Sequence, residues 1–218
     1  RKHGIGRKLI DFIFNRFPVD TIIAETDDET VGFYKRYGFA VTPTKEFSDI
    51  RRYFCKLSAV SKHYDMLIDE NNDPVRDPEP LREYMDKWDG QQFIDSLQLT
   101  KRKSVLEIGV GTGRLAVRTA PNCREFFGID ISQKTVKRAK ENLKKQTNVT
   151  LVCGDFMSYE FGRKFDVIYL SLTFMHIRDK QAAINKVRSL LNIGGRFVLS
   201  IDKNQSDTID YGTRKIKI

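Results

Sequence analysis

The sequence predicts an α/β fold in which a doubly wound, mostly parallel sheet is preceded by a smaller α+β unit. The main observation is a short apolar run at residues 104–108, followed by three glycines at alternate positions, Gly109, Gly111 and Gly113. Apolar runs and helix-like segments then alternate along the chain, which is typical of parallel strands with helices on both faces. Because glycine lets the backbone approach a ligand closely, and free amides follow at the next helix start, this turn predicts a ligand site.

The composition is typical of a globular protein, with 40% hydrophobic and 31% charged residues among 218. The net charge of +9 comes from Lys and Arg spread through segments such as 134–145, where they alternate with apolar positions as on a solvated helix face. This pattern makes RNA a less favoured substrate. Cys55, Cys123 and Cys153 show no metal-ligand spacing, so we expect no metal site and free thiols in a reducing, cytoplasmic compartment. No apolar run has the length of a membrane span, and we expect no membrane partner.

The first 58 residues predict the small α+β unit. Ile5, Leu9, Phe12 and Ile13 recur at helical spacing, and Pro18 ends that helix. The further elements are strands at 21–24, 39–42 and 53–57 and a helix at 29–37 that Gly38 closes.

Two motifs in this unit point to a coenzyme. Arg1, Gly4 and Gly6 precede the first helix, where backbone amides can face a pyrophosphate, and residues 31–39 surround Tyr34. The pair of motifs resembles the GNAT acetyltransferase superfamily over about residues 1–58. The resemblance implies that Arg1, Gly4 and Gly6 hold the pyrophosphate of acetyl-CoA and that Tyr34 gives a proton to the leaving thiolate.

The unit departs from that superfamily in two respects. Asp27 stands where an asparagine is common, and the strands and helices that normally come before the first motif are not in the sequence. We therefore expect the C-terminal half of an acetyltransferase fold with an open sheet edge and no acetyltransferase activity in this chain. N-acetyltransferase activity of an intact bifunctional parent remains the alternative.

Residues 59–103 predict a linker and an N-terminal helical lid. Residues 69–80 are acidic, polar and proline-bearing, which indicates a loop. Apolar positions at helical spacing then predict a helix at 81–99 that Gly90 interrupts.

Acidic residues stand at the ends of the next two strands. The strand at 125–129 ends in Asp130, which can accept hydrogen bonds from both hydroxyls of a ribose. The strand at 149–153 precedes Asp155 and Phe156, which can accept from an adenine amino group and pack on the base. The remaining elements are a helix capped by Ser132, strands at 165–170 and 196–201, a helix between them that Gly194 and Gly195 end, and the start of a sixth strand at 214–218.

The glycine turn discriminates between two cofactor classes. The dinucleotide fingerprint needs a third glycine where this chain has Arg114, whereas Glu107 stands two residues before a G-x-G-x-G run. With Asp130 and Asp155, this pattern resembles the class I S-adenosylmethionine (SAM)-dependent methyltransferase family from about Tyr64 to residue 218. The resemblance implies a Rossmann-like fold and SAM as the cofactor.

The same resemblance implies roles for individual residues. Glu107 and the glycines anchor the methionine end of SAM with Ser171 nearby, Asp130 holds the ribose, and Asp155 with Phe156 holds adenine. The complete expected cofactor set is Glu107, Gly109, Gly111, Gly113, Asp130, Ile131, Asp155, Phe156, Ser171 and Tyr64, the last from a segment that folds over the cofactor in many relatives.

His176 follows the fourth strand of this region and is the candidate catalytic residue, either as a base or as a pocket-lining side chain. The loop before it lacks the Asn/Asp-Pro-Pro-aromatic signature of enzymes that methylate exocyclic base amines, which favours a small-molecule or protein acceptor. Among the acceptor classes, we expect a small molecule rather than protein or RNA. We thus predict a partial GNAT-like domain at 1–58, a linker and lid at 59–103, and a methyltransferase domain, truncated at its C-terminal end, at 104–218. A noncatalytic SAM-binding module is the alternative.

Overall fold

The computed structural model describes residues 4–17, 19–44, 50–201, 208–210 and 215–217. Its helices are α1 (Ile5–Arg16), α2 (Val31–Tyr37), α3 (Ala59–Asp69), α4 (Glu79–Asp89), α5 (Gln91–Ser96), α6 (Ala116–Thr119), α7 (Gln133–Asn142) and α8 (Lys180–Leu190). Its strands are β1 (Thr21–Asp27), β2 (Ala40–Pro43), β3 (Arg52–Ser58), β4 (Ser104–Ile108), β5 (Glu125–Asp130), β6 (Val149–Cys153), β7 (Phe165–Leu170), β8 (Leu191–Leu199), β9 (Thr208–Asp210) and β10 (Lys215–Lys217). Single 3₁₀ turns lie at Pro74–Arg76, Ala120–Asn122 and Phe174–His176.

A five-stranded sheet forms the larger part of the fold, with the strand order β6-β5-β4-β7-β8. All neighbouring pairs run parallel, as the alternation of strands and helices predicted. Within this sheet, the first strand along the chain is the central strand β4. The chain then adds β5 and β6 on one side of β4 and crosses to add β7 and β8 on the other side. The carboxyl ends of all five strands therefore meet at one edge, and the reversal beside β4 opens a crevice there.

Strand β4 supplies the hydrophobic cores on both faces of this sheet, because its side chains alternate between the faces. Val105 packs with Phe126 and Tyr169 on the face that α5, α6 and α7 cover. Leu106 packs on the opposite face with Val187 of α8. Every residue of β4 is buried, which explains why the strand is apolar apart from Ser104 at its start and Glu107.

A separate three-stranded antiparallel sheet precedes this region, with the order β1-β3-β2. Cys55 and Leu57 of β3 are buried and pack with Tyr37 and Phe39. Gly38 ends α2 with a φ of 113°, a left-handed conformation that favours glycine, so the predicted helix end is confirmed.

Helix α1 turns a different face toward this core than the spacing predicted. Ile10 and Phe14 pack against the core, whereas Ile5, Leu9 and Phe12 are 62%, 58% and 56% exposed. The helix carries apolar residues on more than one face, so periodicity could not decide which face packs on the sheet.

Two predicted elements near the C-terminal end of the described chain differ from the structure. Strand β8 begins at Leu191 and includes Gly194 and Gly195, which were expected to end the preceding helix. The pairing of β7 with β8 shifts register between Phe165 and Val167, so the glycines lie where the longer strand bulges. A strand is present at Lys215–Lys217, as expected, but β10 pairs antiparallel with β9 in a separate two-stranded sheet and does not extend the parallel sheet. Residues 211–214 and 218 of the expected segment and its surroundings lie outside the described residues.

Helix α3 joins the two sheets. Ser58, the last residue of β3, is the N-cap of this helix, and its hydroxyl accepts a hydrogen bond from Ser61 N at 2.9 Å. The buried carboxylate of Asp65 accepts from Ser132 Oγ at 2.7 Å and from Lys134 N at 3.1 Å, at the start of α7. A carboxylate at a helix N-terminus is favourable, so these contacts hold α3 against α7. Within the described ranges, no helix combines the length and hydropathy needed to cross a membrane.

Candidate functional site

A cavity of about 620 Å³ opens at the carboxyl edge of the parallel sheet. It contains most of the expected cofactor residues: Glu107, Gly109, Gly111, Asp130, Ile131, Asp155, Phe156, Ser171 and Tyr64, together with His176. Residues of the N-terminal sheet line its other side: Asp20, Thr21, Lys56 and Ser58. The cavity therefore lies between the two sheets, and the sequence motifs predicted only its methyltransferase-like wall.

The glycine turn is shaped by two different constraints. At Gly109 the φ is +77°, and an added Cβ would lie 2.1 Å from Thr173 Oγ1, so neither the backbone nor the space admits a side chain. At Gly111 the φ is +56° and an added Cβ would meet nothing within 4 Å, so the backbone there borders open space. Gly113 does not line the cavity; a Cβ there would lie 3.1 Å from Leu143 Cδ1, which makes it a packing position.

Asp130 holds the glycine turn in place from the end of β5. One carboxylate oxygen accepts from Gly111 N at 2.9 Å and the other accepts from Ser132 N at 3.0 Å. Burial raises the pKa of Asp130 above its usual value, although these backbone amides act in the opposite direction. Because each carboxylate oxygen can accept more than one hydrogen bond, Asp130 keeps capacity for a ligand.

Glu107 is the buried carboxyl group of the site. It is 3% exposed, and its Oε2 lies 2.8 Å from Tyr169 Oη. Tyr169 Oη lies 2.9 Å from Thr119 Oγ1, which donates to the carbonyl of Leu115 at 3.1 Å. Burial raises the pKa of Glu107 to about 8, with the hydrogen bond from Tyr169 opposing that rise. The carboxyl group is therefore largely protonated at neutral pH.

Asp155 and Phe156 contribute to the cavity in different ways. Asp155 Oδ2 lies 3.2 Å from Lys56 Nζ of β3, and Asp155 Oδ1 accepts from Met157 N at 2.9 Å. Phe156 is buried in the core beside Ile129 and presents part of its surface to the cavity. The Lys56 contact ties the N-terminal sheet to the end of β6.

Tyr64 and His176 meet at the rim of the cavity. Tyr64 Oη lies 2.9 Å from His176 Nε2, and the two rings are edge-to-face with centroids 5.6 Å apart. Burial lowers the pKa of His176 to about 4, and the nearby charges of His63 and Lys180 act in the same direction. The lowered pKa favours the neutral imidazole at pH 7 and makes His176 a weak base.

Lys56, Asp89 and Arg114 are among the residues in or beside the cavity that were not predicted as site residues. Asp89, the last residue of α4, is completely buried. Its Oδ2 accepts hydrogen bonds from Arg114 Nη2 and Ser171 Oγ. Arg114 stood out in the sequence only as a departure from the dinucleotide fingerprint, and Asp89 and Lys56 carried no signal of their own.

Of the residues expected to bind acetyl-CoA, Gly4, Gly6 and Tyr34 do not line this cavity. Gly4 caps α1 with a φ of 66°, and Arg1 lies outside the described residues. At Gly6 an added Cβ would lie 2.9 Å from Phe33 Cζ, so this glycine lets α1 approach α2. Tyr34 packs edge-to-face against Phe39, with ring centroids 5.1 Å apart.

Comparisons with known proteins agree with this geometry. Residues 105–195 match a protein family described as a methyltransferase domain. This family match and the two relatives described next support the resemblance of residues 105–195 to class I SAM-dependent methyltransferases. Over 113 residues the chain is 40% identical to an uncharacterized methyltransferase of Bacillus thuringiensis (strain Al Hakam) and 39% identical to one of Bacillus mycoides (strain KBAB4). Both alignments cover 50% of this chain and 52% of the relative, so the chain spans about half the length of the curated relatives it matches.

Similar solved structures include the YcgJ protein of a Bacillus species, with 29% identity, a TM-score of 0.47 and coverage of 50% of this chain and 47% of that one. Another is the N-methyltransferase NodS of Bradyrhizobium japonicum WM9, with 21% identity, a TM-score of 0.49 and coverage of 56% and 69%. The five-stranded parallel sheet itself supports the Rossmann-like α/β fold. The family match supports SAM as the cofactor.

Proposed function

We propose that this chain binds SAM in the cavity at the carboxyl edge of the parallel sheet and transfers its methyl group to a small-molecule acceptor. The observation that carries the proposal is the convergence of the open backbone at Gly111, the Asp130 carboxylate and Asp155 around one cavity of about 620 Å³. That volume lies within the range of pockets that enclose a cofactor-sized ligand, roughly 300–1,000 Å³.

The residues present fit the parts of SAM. Asp130 and Ile131 would hold the ribose, while Phe156 and Asp155 would hold adenine, with Lys56 sharing the Asp155 carboxylate. Glu107 and the glycine turn would face the methionine end. When bound, SAM supplies an electrophilic methyl group whose leaving group is a neutral thioether. The chain's own task is then to hold the acceptor in line and keep water out.

The acceptor would enter beside Tyr64 and His176. Val60, Met85 and Ile177 line the cavity, and so do Asp20, Arg178 and Asp179, so its wall combines apolar and charged side chains. Such a wall suits a small acceptor that has both apolar and polar groups and loses a proton when it is methylated. His176, whose Nε2 lies 2.9 Å from Tyr64 Oη, is the group that we propose to take that proton.

The GNAT resemblance of residues 1–58 stays a hypothesis. The packing at Gly6 and Tyr34 explains both residues without acetyl-CoA, so we propose no acetyl transfer by this chain.

Isothermal titration calorimetry with SAM, S-adenosylhomocysteine and NAD tests the main proposal. We expect binding of the first two and none of NAD. Asp130→Ala should weaken S-adenosylhomocysteine binding by about 2–3 kcal/mol, or roughly 30- to 150-fold, because it removes charge-assisted acceptors for the ribose and frees the Gly111 amide. Glu160→Ala, which removes an exposed acid outside the cavity, is the control. Preference for NAD, or no binding by folded protein, would contradict the proposal.

A further inference from the structure

The three-stranded N-terminal sheet forms one wall of the cavity, although it lies outside residues 105–195, which match the methyltransferase family. Thr21 of β1 and Lys56 and Ser58 of β3 line the cavity. Because Thr21 pairs with Ser58 and side chains alternate along a strand, these residues share the sheet face opposite Cys55 and Leu57. One face of the sheet therefore packs its own core, and the other covers the mouth of the cavity. We call this sheet the cover.

The cover is attached to helix α3. Lys62 Nζ of α3 lies 2.8 Å from Asp11 Oδ1 of α1 and 3.1 Å from Tyr37 Oη of α2, and both of these helices pack on the cover. Ala59 N, at the start of α3, donates to the carbonyl of Asp20 at 2.8 Å. These contacts hold both ends of the first two turns of α3 to the N-terminal unit, so the cover and α3 form one body.

Buried hydrogen bonds hold α3 against the parallel region on one side of the cavity. Asp65 is 5% exposed and accepts from Ser132 Oγ and Lys134 N at the start of α7. Ser61, which is also buried, donates through Oγ to the carbonyl of Ile131 at 3.0 Å. Breaking these contacts would leave buried polar groups without partners, which is costly. The α3–α7 contact is therefore the firmly held side of the cover.

An exposed ion pair closes the opposite side. Asp20, which directly precedes β1, accepts from Arg178 Nη2 at 2.9 Å across 158 positions. Arg178 follows β7 whereas α7 follows β5, and these two strands lie on opposite sides of β4. Both residues of the pair line the cavity, and their side chains are 45% and 67% exposed. Because water and salt screen exposed ion pairs, this contact breaks more readily than the buried hydrogen bonds of Asp65.

We propose that the cover opens and closes the cavity, with the α3–α7 contact as its pivot and the Asp20–Arg178 ion pair as a contact that holds it shut. The Tyr64–His176 contact lies on the opening side and separates in the same movement. Ligands exchange with solvent while the pair is broken and are shielded from water when it forms again. The inference rests on the proposed function for the identity of the ligands, whereas the movement itself is testable without them.

The first test measures the movement in the ligand-free full chain by pulsed electron paramagnetic resonance. Spin labels at Ile23→Cys on the cover and Gln181→Cys on α8, both exposed positions, report the distance across the mouth. Cys153→Ser removes the exposed native thiol, and Cys55 and Cys123 are buried. Arg178→Gln in this background should raise the population of longer distances by about two- to fivefold. The same distance distribution with and without Arg178→Gln would overturn the inference, whatever the chain binds.

The second test measures ligand exchange by surface plasmon resonance with S-adenosylhomocysteine. Arg178→Gln and Asp20→Asn should each raise the association and dissociation rates by about two- to fivefold. The Kd should change by less than about twofold, because the pair holds the cover shut in both the free and the bound protein. The exchanged pair, Asp20→Arg with Arg178→Asp, should restore slow exchange, which a loss of local packing would not do.

The chain offers a matched control on α4. Arg82 and Glu79 form an exposed ion pair at 2.7 Å that does not line the cavity, so Arg82→Gln should alter neither rate. Unchanged rates in Arg178→Gln, or exchange in the double variant as fast as in the single variants, would overturn the inference and leave the proposed function intact. Failure of S-adenosylhomocysteine to bind folded wild type would overturn the proposed function, and the spin-label distances would still decide whether the cover moves.

Discussion

Replacing Glu107 by Gln should stabilise the protein at alkaline pH. Glu107 is 3% exposed in the middle of β4, with Tyr169 Oη 2.8 Å from its carboxyl group. Tyr169 Oη donates to Glu107 Oε2, and Thr119 Oγ1 donates to the Leu115 carbonyl. The amide oxygen of a glutamine at position 107 can accept the same hydrogen bond from Tyr169, and the amide stays uncharged at any pH.

The magnitude follows from linkage between protonation and folding. The ordinary pKa of Glu107 is 4.5, and burial raises its pKa in the folded protein to about 8. Between these values the folded state holds a proton that the unfolded chain releases. The stabilising contribution is therefore complete below pH 4.5 and is lost as the pH rises through 8, by at most about 5 kcal/mol. Because partial relaxation and water entry reduce such penalties, we expect Glu107→Gln to raise the free energy of unfolding at pH 9 by about 2–4 kcal/mol.

Urea and thermal unfolding of both proteins at pH 6, 7.5 and 9 measure this effect. At pH 9 the melting temperature should rise by about 5–15 °C. At pH 6 the rise should be less than half as large, because the contribution is lost at about 1.4 kcal/mol per pH unit above 4.5. Glu125→Gln is the control: Glu125 sits at the opposite end of the sheet, where the hydrogen bond from Arg163 lowers its pKa, so its replacement should give no alkaline gain. Equal stability of Glu107→Gln and wild type at all three pH values would refute the assignment of a neutral, buried Glu107.

Three further substitutions test the site and its support. Asp65→Ala should lower the free energy of unfolding, measured in urea, by about 2–3 kcal/mol, because two hydrogen bonds at the start of α7 lose their buried acceptor. The control Asp69→Ala removes an exposed ion pair and should lower it by less than about 1 kcal/mol. Equal losses in the two variants would contradict this account. Gly109→Ala should lower the melting temperature by several degrees, since the new Cβ would overlap Thr173 at a φ of +77°; a wild-type melting curve would show that the turn has another conformation. His176→Ala should keep S-adenosylhomocysteine affinity within about threefold by calorimetry while methylation of acceptors found in a screen falls, and a tenfold loss of affinity would move His176 into the cofactor site.

The parallel region was predictable because its signals are local. A buried strand is an apolar run, a glycine turn needs φ values that other residues avoid, and parallel strands bring their carboxyl ends to one edge. These rules placed Asp130, Asp155 and Ser171 at one cavity although they lie far apart in the chain. They failed at β8, where Gly194 and Gly195 lie in a bulge inside an edge strand and do not end the preceding helix as expected.

The features that depend on distant contacts were not visible in the sequence. The apolar residues of α1 suit more than one face, and only packing on the N-terminal sheet selected Ile10 and Phe14. Lys56 reaches Asp155 across 99 positions because α3 docks the first sheet against the second. Neither contact leaves a local pattern in the sequence, because each depends on how two distant segments of the chain pack together.

The sequence by itself determined the strand–glycine turn–helix corner, the order of the alternating elements and the acidic residues at the strand ends, because each follows from short-range periodicity and backbone preference. The tertiary structure alone decided which side chains share the cavity with them. It placed Asp89 against Ser171, 82 positions away, and Tyr64 against His176, and it buried Glu107 deeply enough to hold a proton at neutral pH. Burial and proximity across the fold set hydrogen bonding and pKa, and neither property belongs to a residue before the chain has folded.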